Sequence, residues 1–300
     1  MSVSTPMNRP VNTRFAPSPT GLLHLGHAVA AIAAQDMAAQ TGGRFLLRID
    51  DIDASRRRPE FEAAIYEDLR WLGLNWQEPV RRQSDSLAQY QAALDRLRDM
   101  GLIYPCFCTR KEILLEAARA QDAPHGDEGP RYPGACRNLA DYETNARLEA
   151  GKAVALRLDV AKALAQTGAA LEFHEHGSGP QGETGKISAR PDLAGDIVLA
   201  RRGVNGVNDA SYHLAVVVDD AAQNINCVTR GRDLFLATHI QRLLQALLDY
   251  PVPEYLHHEL ALDSAGKRLA KRHDALSLRH FREQGMTPGQ VRALGREVTG

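Results

Sequence analysis

Hydrophobic and polar residues near the amino terminus follow one another in blocks that predict a strand, a helix and a second strand. A short strand at Thr13–Ala16 leads through a turn rich in proline and glycine into an alanine-rich helix at about 26–40. The pair Gly42-Gly43 ends that helix, and the apolar run Phe45–Ile49 follows as a buried strand. Short connections between such elements predict the βαβ unit of a parallel sheet.

Later blocks predict that the sheet is completed by a second part of the chain. Helices are expected at about Pro59–Leu72, Ser84–Met100 and Leu234–Tyr250. Buried strands are expected at Ala155–Val160, Asp196–Ala200, Leu214–Asp220 and Asn226–Arg230. The stretch from about Tyr104 to Arg190 contains two loops rich in proline and glycine, which indicates an insertion between the two halves of the sheet domain.

Size and composition indicate a globular protein. The chain has 300 residues, of which 44% are hydrophobic and 24% charged. No apolar run approaches the roughly 20 residues that span a bilayer, and the amino terminus lacks the apolar segment of a signal peptide. We therefore expect a cytoplasmic protein with no membrane association, and nothing indicates an obligate protein partner.

The charge pattern leaves the binding partner open. The formal net charge is −1, so the chain as a whole has no basic excess for nucleic acid. Local basic runs at Arg56–Arg58 and Lys267–Arg272 could contact RNA, although short basic runs are more often part of a solvated surface.

The turn after the first strand contains a candidate nucleotide site. His24, Gly26 and His27 fall at the start of the predicted helix, where unpaired N–H groups and the helix dipole favour phosphate. Gly26 would let a ribose or base approach the backbone, and the histidines could donate hydrogen bonds to phosphate oxygens. The residues alone also allow a helix cap or two surface histidines.

A cluster of sulfur-containing residues is a candidate metal centre. Cys106, Cys108 and Cys136 lie close in sequence and, with Tyr132, offer three thiolates and a phenol to a four-coordinate zinc. A fully ligated site of this kind would be structural, and three unrelated buried cysteines are the alternative. Cys227, in the apolar run NINCVT, is interpreted as a small core residue.

Five segments in order resemble class I aminoacyl-tRNA synthetases of the glutamyl and glutaminyl type. RFAPSPTGLLHLGH, from Arg14, resembles the first class I signature, and GKRLAK at Gly266–Lys271 resembles the second. The segments between them are RIDDID at Arg48–Asp53, YHLAVVVDD at Tyr212–Asp220 and VTRGRDL at Val228–Leu234. The resemblance implies an α/β fold in which a Rossmann-like parallel sheet domain carries an inserted, zinc-containing α+β subdomain.

The resemblance also implies an ATP site. His24, Gly26, His27 and Lys271 would bind ATP with Mg²⁺, and His24, His27 and Lys271 would be catalytic, with Lys271 in a mobile loop that holds the phosphates. Arg268 and Ala270 stand where this family usually has lysine and serine.

An L-glutamate site is implied at matching positions. Arg230 would bind the side-chain carboxylate and Asp50 the ammonium, while Tyr212 would wall the pocket. Further contacts are expected from Arg14, Phe15, Ala16, Pro17 and Ser18. The family usually has glutamate at the position of Asp50, and the shorter aspartate leaves room for a bridging water.

The pattern CxC…YxxxC is similar to the zinc element of the glutamyl-Q tRNA(Asp) synthetase family. Membership would imply that glutamate is activated with ATP and transferred to queuosine in tRNA(Asp). The implied division is a first catalytic half at 10–103, an acceptor-type insertion at 104–190, a second half at 191–250, and a lysine-loop and helical region at 251–300, with no anticodon-binding domain. A shortened glutamyl-tRNA synthetase, a nucleotidyltransferase without amino-acid recognition and an inactive RNA-binding paralogue are the alternatives.

Overall fold

A computed structural model describes residues 9–109, 111–113, 125–126, 129–202, 208–260 and 277–297. Its first elements are strand β1 (Asn12–Phe15), helix α1 (Leu25–Thr41) and strand β2 (Arg44–Ile49), with β1 and β2 parallel. Gly42 ends the helix in the left-handed conformation at φ 68°. A Cβ on Gly43 would lie 1.9 Å from the Val11 carbonyl oxygen, so only glycine fits there. The predicted βαβ unit and its glycine stop are confirmed.

The central sheet combines strands from distant parts of the chain. Strands β1, β2 and β3 pair in parallel on one side, while β12, β13 and β8 pair in parallel on the other, with β9 antiparallel at the edge. The two sides meet at β1 and β12, where the Asn226 amide donates to the Asn12 carbonyl at 3.1 Å. The bounds of these strands are Gln77–Arg82 (β3), Glu172–Glu175 (β8), Gly185–Ser188 (β9), Cys227–Gly231 (β12) and Glu254–His258 (β13).

A separate antiparallel sheet contains the order β11-β10-β7-β4. Its strands are Ile103–Cys106 (β4), Ala155–Leu158 (β7), Val198–Arg202 (β10) and Asn208–Ala210 (β11), and a small ribbon joins His125–Gly126 (β5) to Gly129–Pro130 (β6). The strands therefore cross the expected division at residue 190. Strand β8, before it, pairs with β13 of the parallel sheet, whereas β10, after it, pairs with β7.

Helices cover the sheets and enclose two main apolar cores. The remaining helices are Pro59–Trp71 (α2), Leu87–Asp99 (α3), Asp141–Glu149 (α4), Val160–Thr167 (α5), Tyr212–Ala222 (α6), Phe235–Leu247 (α7), Leu278–Glu283 (α8) and Pro288–Glu297 (α9). None of the helices in the described part of the chain has the length and apolar character needed to cross a membrane.

One predicted strand is wrong. The segment Leu214–Asp220 lies inside helix α6, and every residue of it is buried. A continuous apolar run has no periodicity that separates a buried strand from a helix packed on several sides. Helices α3 and α7 and strand β10 pack around this segment of helix α6. None of its faces is exposed to solvent, so the run needs no polar face.

Candidate active site

A cavity of about 240 Å³ opens between the two sides of the parallel sheet, where β1 adjoins β12. Such a switch in strand order is where open α/β sheets bind ligands. The cavity is lined by these residues predicted for the site: Arg14, Phe15, Ala16, His24, Gly26, His27, Asp50, Tyr212 and Arg230. Two of the predicted residues that the structure describes do not line it. Pro17 is buried and Ser18 is exposed, although the Pro17 carbonyl accepts the Asp50 amide at 3.0 Å and so helps to place Asp50.

Helix α1 begins at the cavity with its two histidines in contact. His24 is the N-cap residue, and its Nδ1 accepts from the Gly26 amide at 3.1 Å. The His24 amide in turn donates to His27 Nδ1 at 3.1 Å, and the ring centroids are 3.8 Å apart. Because both Nδ1 atoms accept, the neutral rings carry their proton on Nε2. The helix cap and the candidate phosphate donors are therefore the same residues.

Two buried arginines of the cavity share one carboxylate. Arg14 on β1 donates to both oxygens of Asp220, at 2.9 and 3.2 Å, and Arg48 on β2 donates to Asp220 Oδ1 at 2.6 Å. Burial alone would raise the pKa of Asp220, but the two guanidiniums outweigh it and hold that pKa below its usual value. Asp220 is thus an anion that fixes both arginines.

The neighbouring Asp219 connects helix α6 to strand β3 and helix α3. Its fully buried carboxylate accepts from Arg81 Nε at 2.8 Å, from Gln83 Nε2 at 3.0 Å and from the Tyr90 hydroxyl at 2.9 Å. Strand β3 and helix α3 are thereby joined to helix α6. The buried network reaches the cavity through Arg48, whose Nε lies 3.6 Å from Asp219 Oδ2.

Asp50 differs from Asp220, because its pKa is raised and a bound cation would stabilise its ionised form. Arg48 Nε donates to Asp50 Oδ1 at 2.7 Å. Burial nevertheless raises the pKa of Asp50 to about 6, against the opposing effect of Arg48. A bound ammonium would stabilise the ionised carboxylate and lower this pKa again.

Arg230 near the end of β12 has a different environment from the other cavity arginines. It is 5% exposed. Its Nε donates to His257 Nε2 at 3.0 Å, Nη1 to Gln241 at 2.9 Å and to the Tyr212 hydroxyl at 3.3 Å, and Nη2 to Thr238 at 2.5 Å. Within the described ranges no carboxylate forms an ion pair with it. Arg230 therefore presents a buried, unneutralised positive charge to the cavity.

Several residues of the site were not predicted. Arg48, Asp219 and Asp220 lie inside the segments RIDDID and YHLAVVVDD, but neither pattern assigns them a contact. The paired aspartates at the end of an apolar run were the available signal, since a buried carboxylate requires a partner. His257, which accepts a hydrogen bond from Arg230, gave no comparable signal.

The four residues of the candidate metal centre come together as predicted. The sulfur atoms of Cys106, Cys108 and Cys136 lie within 4.8 Å of one another. The Tyr132 hydroxyl lies 3.4 Å from the Cys106 sulfur and 3.6 Å from the Cys108 sulfur. Burial raises the pKa of Cys108 to about 12, so metal binding near neutral pH would release a proton from this thiol. Three convergent thiols and a phenol fit a soft, four-coordinate cation.

Lys271 lies outside the described residues, as does the whole segment Gly266–Lys271. The described residues on either side are at the site. Leu260 lines the cavity, and Ser277 forms a β-bridge with His24. The Leu278 amide donates to the Leu23 carbonyl at 2.8 Å. The role of Lys271 stays a prediction.

Comparisons with known proteins identify the family. The model of class I tRNA synthetases (E and Q), catalytic domain, matches residues 10–296. The chain is 50% identical over 290 residues to glutamyl-Q tRNA(Asp) synthetase of Rhodobacter capsulatus, covering 94% of this chain and 98% of that one. It is 38% identical to glutamate–tRNA ligase of Aquifex aeolicus, covering 93% and 55% of the two chains.

A solved structure agrees with these matches. The glutamate tRNA ligase of Elizabethkingia meningosepticum, in complex with its amino acid, superposes with a TM-score of 0.69 at 27% identity and covers 93% of this chain and 54% of that one. The chain thus spans about half the length of both ligases. Its fold is the α/β fold of class I synthetases, and the chain belongs to the glutamate- and glutamine-type class I aminoacyl-tRNA synthetases, which are ligases.

Proposed function

We propose that this protein activates L-glutamate with ATP and transfers the glutamyl group to the queuosine base of tRNA(Asp). The observation that carries the proposal is Arg230, a buried guanidinium with no carboxylate partner among the described residues, in one cavity with Asp50. The α-carboxylate of the amino acid must stay free to attack ATP, so a ligand that gives its ammonium to Asp50 and a further carboxylate to Arg230 is an acidic amino acid. The matched synthetases named for glutamate support the same substrate.

Activation would take place between Asp50 and the start of helix α1. The α-carboxylate of glutamate attacks the α-phosphate of ATP, forming glutamyl-adenylate and releasing pyrophosphate. His24 and His27, at the positive end of the helix dipole, would donate hydrogen bonds to the phosphate oxygens as charge develops. Lys271 would hold the leaving phosphates, and Mg²⁺ would enter with ATP.

Transfer to queuosine is the finer part of the proposal. A hydroxyl of the cyclopentene-diol of queuosine would attack the activated acyl carbon and form an ester, while the bond from that carbon to the phosphate oxygen of AMP breaks and the hydroxyl proton passes to water. The relative from Rhodobacter capsulatus, 50% identical, supports this acceptor by its name. The cavity contains no side chain that we assign as general base for this step.

A structural zinc ion is proposed at Cys106, Cys108, Tyr132 and Cys136. The three cysteine sulfur atoms lie within 4.8 Å of one another, and the Arg157 guanidinium lies 3.8 Å from the centroid of the Tyr132 ring, which holds the phenol in place. The zinc would stabilise the antiparallel sheet at the end of β4. It would supply no chemistry to the cavity.

The decisive experiment measures pyrophosphate exchange and transfer separately. Glutamate-dependent ATP–pyrophosphate exchange is expected without RNA, with glutamine as the matched control amino acid. Transfer of labelled glutamate is then expected to tRNA(Asp) that contains queuosine and not to the same tRNA without it. Charging of the tRNA that lacks queuosine would favour the 3′ end, as in glutamate–tRNA ligases. Exchange that ignores glutamate would favour a nucleotidyltransferase.

A further inference from the structure

Behind Arg230 lies a buried carboxylate–imidazole pair that does not line the cavity. Glu175 ends strand β8, His257 lies on β13 and Arg230 on β12, so the three side chains occupy neighbouring parallel strands. His257 Nδ1 is 2.6 Å from Glu175 Oε2, and His257 Nε2 is 3.0 Å from Arg230 Nε. The side chains of Glu175 and His257 are fully buried.

The hydrogen bonds determine where the proton of His257 lies. The Nε–H of Arg230 can only donate, so His257 Nε2 accepts and the ring carries its proton on Nδ1, where it donates to Glu175. Burial lowers the pKa of His257 to about 4, in spite of its hydrogen bond to Glu175, and Arg230 lowers it further. The imidazole is therefore neutral, in one tautomer, around neutral pH.

Glu175 is itself held by the backbone. Its Oε1 accepts from the His257 amide at 2.9 Å and from the Gly177 amide at 2.8 Å. A Cβ on Gly177 would lie 2.2 Å from the His257 carbonyl oxygen, so the close approach of this turn depends on glycine. Both oxygens of the carboxylate are thus occupied, and its position is set.

We propose that Glu175 and His257 are positioning residues that hold the Nε edge of Arg230 with a neutral acceptor and reserve its positive charge for a substrate carboxylate. The imidazole of His257 lies between the carboxylate of Glu175 and the guanidinium of Arg230, so these two groups do not contact each other. Arg14 differs, because its Nε and Nη2 both donate directly to the carboxylate of Asp220. The pair would favour glutamate over glutamine, an inference that rests on the proposed function.

The test is Glu175→Gln, which should move the proton of the His257 ring from Nδ1 to Nε2 while the side chain at position 175 keeps its shape. The glutamine oxygen can still accept both backbone amides, while its NH₂ group would donate to His257 Nδ1. The imidazole proton would then move to Nε2 and face the Arg230 Nε–H, so two donors would oppose each other. We expect the KM for glutamate to rise roughly tenfold or more, with kcat and the KM for ATP within about twofold, and the preference for glutamate over glutamine to fall.

The matched control is Glu254→Gln. Glu254 contacts His176 at 2.6 Å in a second carboxylate–imidazole pair on the same sheet. Within the described ranges, neither Glu254 nor His176 forms a hydrogen bond with Arg230. The KM of the Glu254→Gln variant for glutamate should therefore equal that of the wild type. A second pair of variants tests His257 directly: His257→Gln, which can retain an acceptor, should raise this KM less than His257→Leu.

Nitrogen-15 spectra of the histidines provide a readout that needs no substrate. The wild-type protein should show His257 protonated on Nδ1, and Glu175→Gln should move that proton to Nε2. A wild-type proton on Nε2, or an unchanged glutamate KM after the proton has moved, would overturn the proposal. Equal rises in the KM values for ATP and glutamate would also overturn it. A wild-type protein without glutamate-dependent exchange would refute the proposed function, while the spectra would still decide whether the pair orients Arg230.

Discussion

Arg14 and Asp220 form a two-point ion pair in the protein interior, with Nε–Oδ1 at 2.9 Å and Nη2–Oδ2 at 3.2 Å. Arg14 also lines the cavity, so it meets a ligand with its charge already balanced. Arg230 lines the same cavity without a carboxylate partner in the described part of the chain. Arg14 therefore joins β1 to helix α6, whereas Arg230 is the arginine that we propose binds the substrate carboxylate.

The first prediction concerns the stability that Asp220 contributes. Asp220→Asn leaves Arg14 and Arg48 buried without their shared anion, and the free energy of unfolding should fall by about 3–5 kcal/mol. Urea unfolding followed by circular dichroism measures this change. Asp99→Asn is the control, since Asp99 is exposed and its side chain has no partner among the described residues, and this substitution should change the free energy by less than about 0.5 kcal/mol. Equal effects of the two substitutions would contradict the account.

The same carboxylate predicts a direction for the effect of pH on stability. The pKa of Asp220 is lower in the folded protein than in the unfolded chain, where aspartate titrates at about 3.9. The contribution of Asp220 is therefore present above about pH 4 and is lost as the pH falls through the folded pKa. Asp220→Asn should unfold with a weaker dependence on pH below about pH 4 than the wild type.

Substitution of Arg230 should affect glutamate more than ATP. Arg230→Lys keeps the charge but loses the planar donor set that contacts His257, Gln241 and Thr238. The KM for glutamate in pyrophosphate exchange should rise by roughly tenfold to a hundredfold, with little change in the KM for ATP. Arg232→Lys is the control, because Arg232 pairs with Glu259 at a half-exposed position. A normal glutamate KM in Arg230→Lys would remove Arg230 from substrate recognition.

Glutamate binding should weaken as the pH falls. Burial raises the pKa of Asp50 to about 6, and the ammonium of glutamate needs the ionised form. Lowering the pH from about 7 to about 5 should therefore raise the Kd for glutamate by roughly tenfold, as measured by calorimetry without ATP. Asp50→Asn should bind weakly at every pH in this range. A wild-type Kd that does not vary with pH would show that Asp50 does not contact the ammonium.

Metal content tests the cysteine cluster. Cys136→Ser removes one proposed ligand and should lower bound zinc well below about one equivalent per chain, with Tm falling by about 5 °C or more. Cys227→Ala is the matched control, since Cys227 is fully buried in a different core with Val11 and Met37. Its zinc content should equal that of the wild type. Wild-type protein that binds no zinc from solution would refute the site.

The lysine prediction derives from sequence resemblance. Lys271→Ala should lower the rate of glutamate-dependent pyrophosphate exchange by at least about a hundredfold, because the leaving phosphates lose their cation. Lys267→Ala changes a lysine of the same segment to which the resemblance assigns no role, and this variant should exchange at nearly the wild-type rate. Equal rates in both variants would exclude Lys271 from the transition state.

The sequence by itself predicted the elements whose signals are local. The strand, glycine stop and helix of the first βαβ unit follow from contiguous residues, and the His24–His27 pair follows from its position at a helix start. The three cysteines and Tyr132 were close enough in sequence to suggest a cluster. The cavity residues came from resemblance at positions near strand ends, and most of them do meet in one cavity.

Tertiary structure decided whatever depends on neighbours that are distant in the chain. The run Leu214–Asp220 is a helix because helices and the sheet bury it on every side, which an apolar run alone does not specify. Strand β8 joins β13 and strand β10 joins β7 across the expected domain boundary. Asp220 of helix α6 is shared by arginines from two strands, and His257 separates Glu175 from Arg230. Contacts of this kind depend on strand order, and strand order results from packing of the whole chain, since no local pattern encodes it.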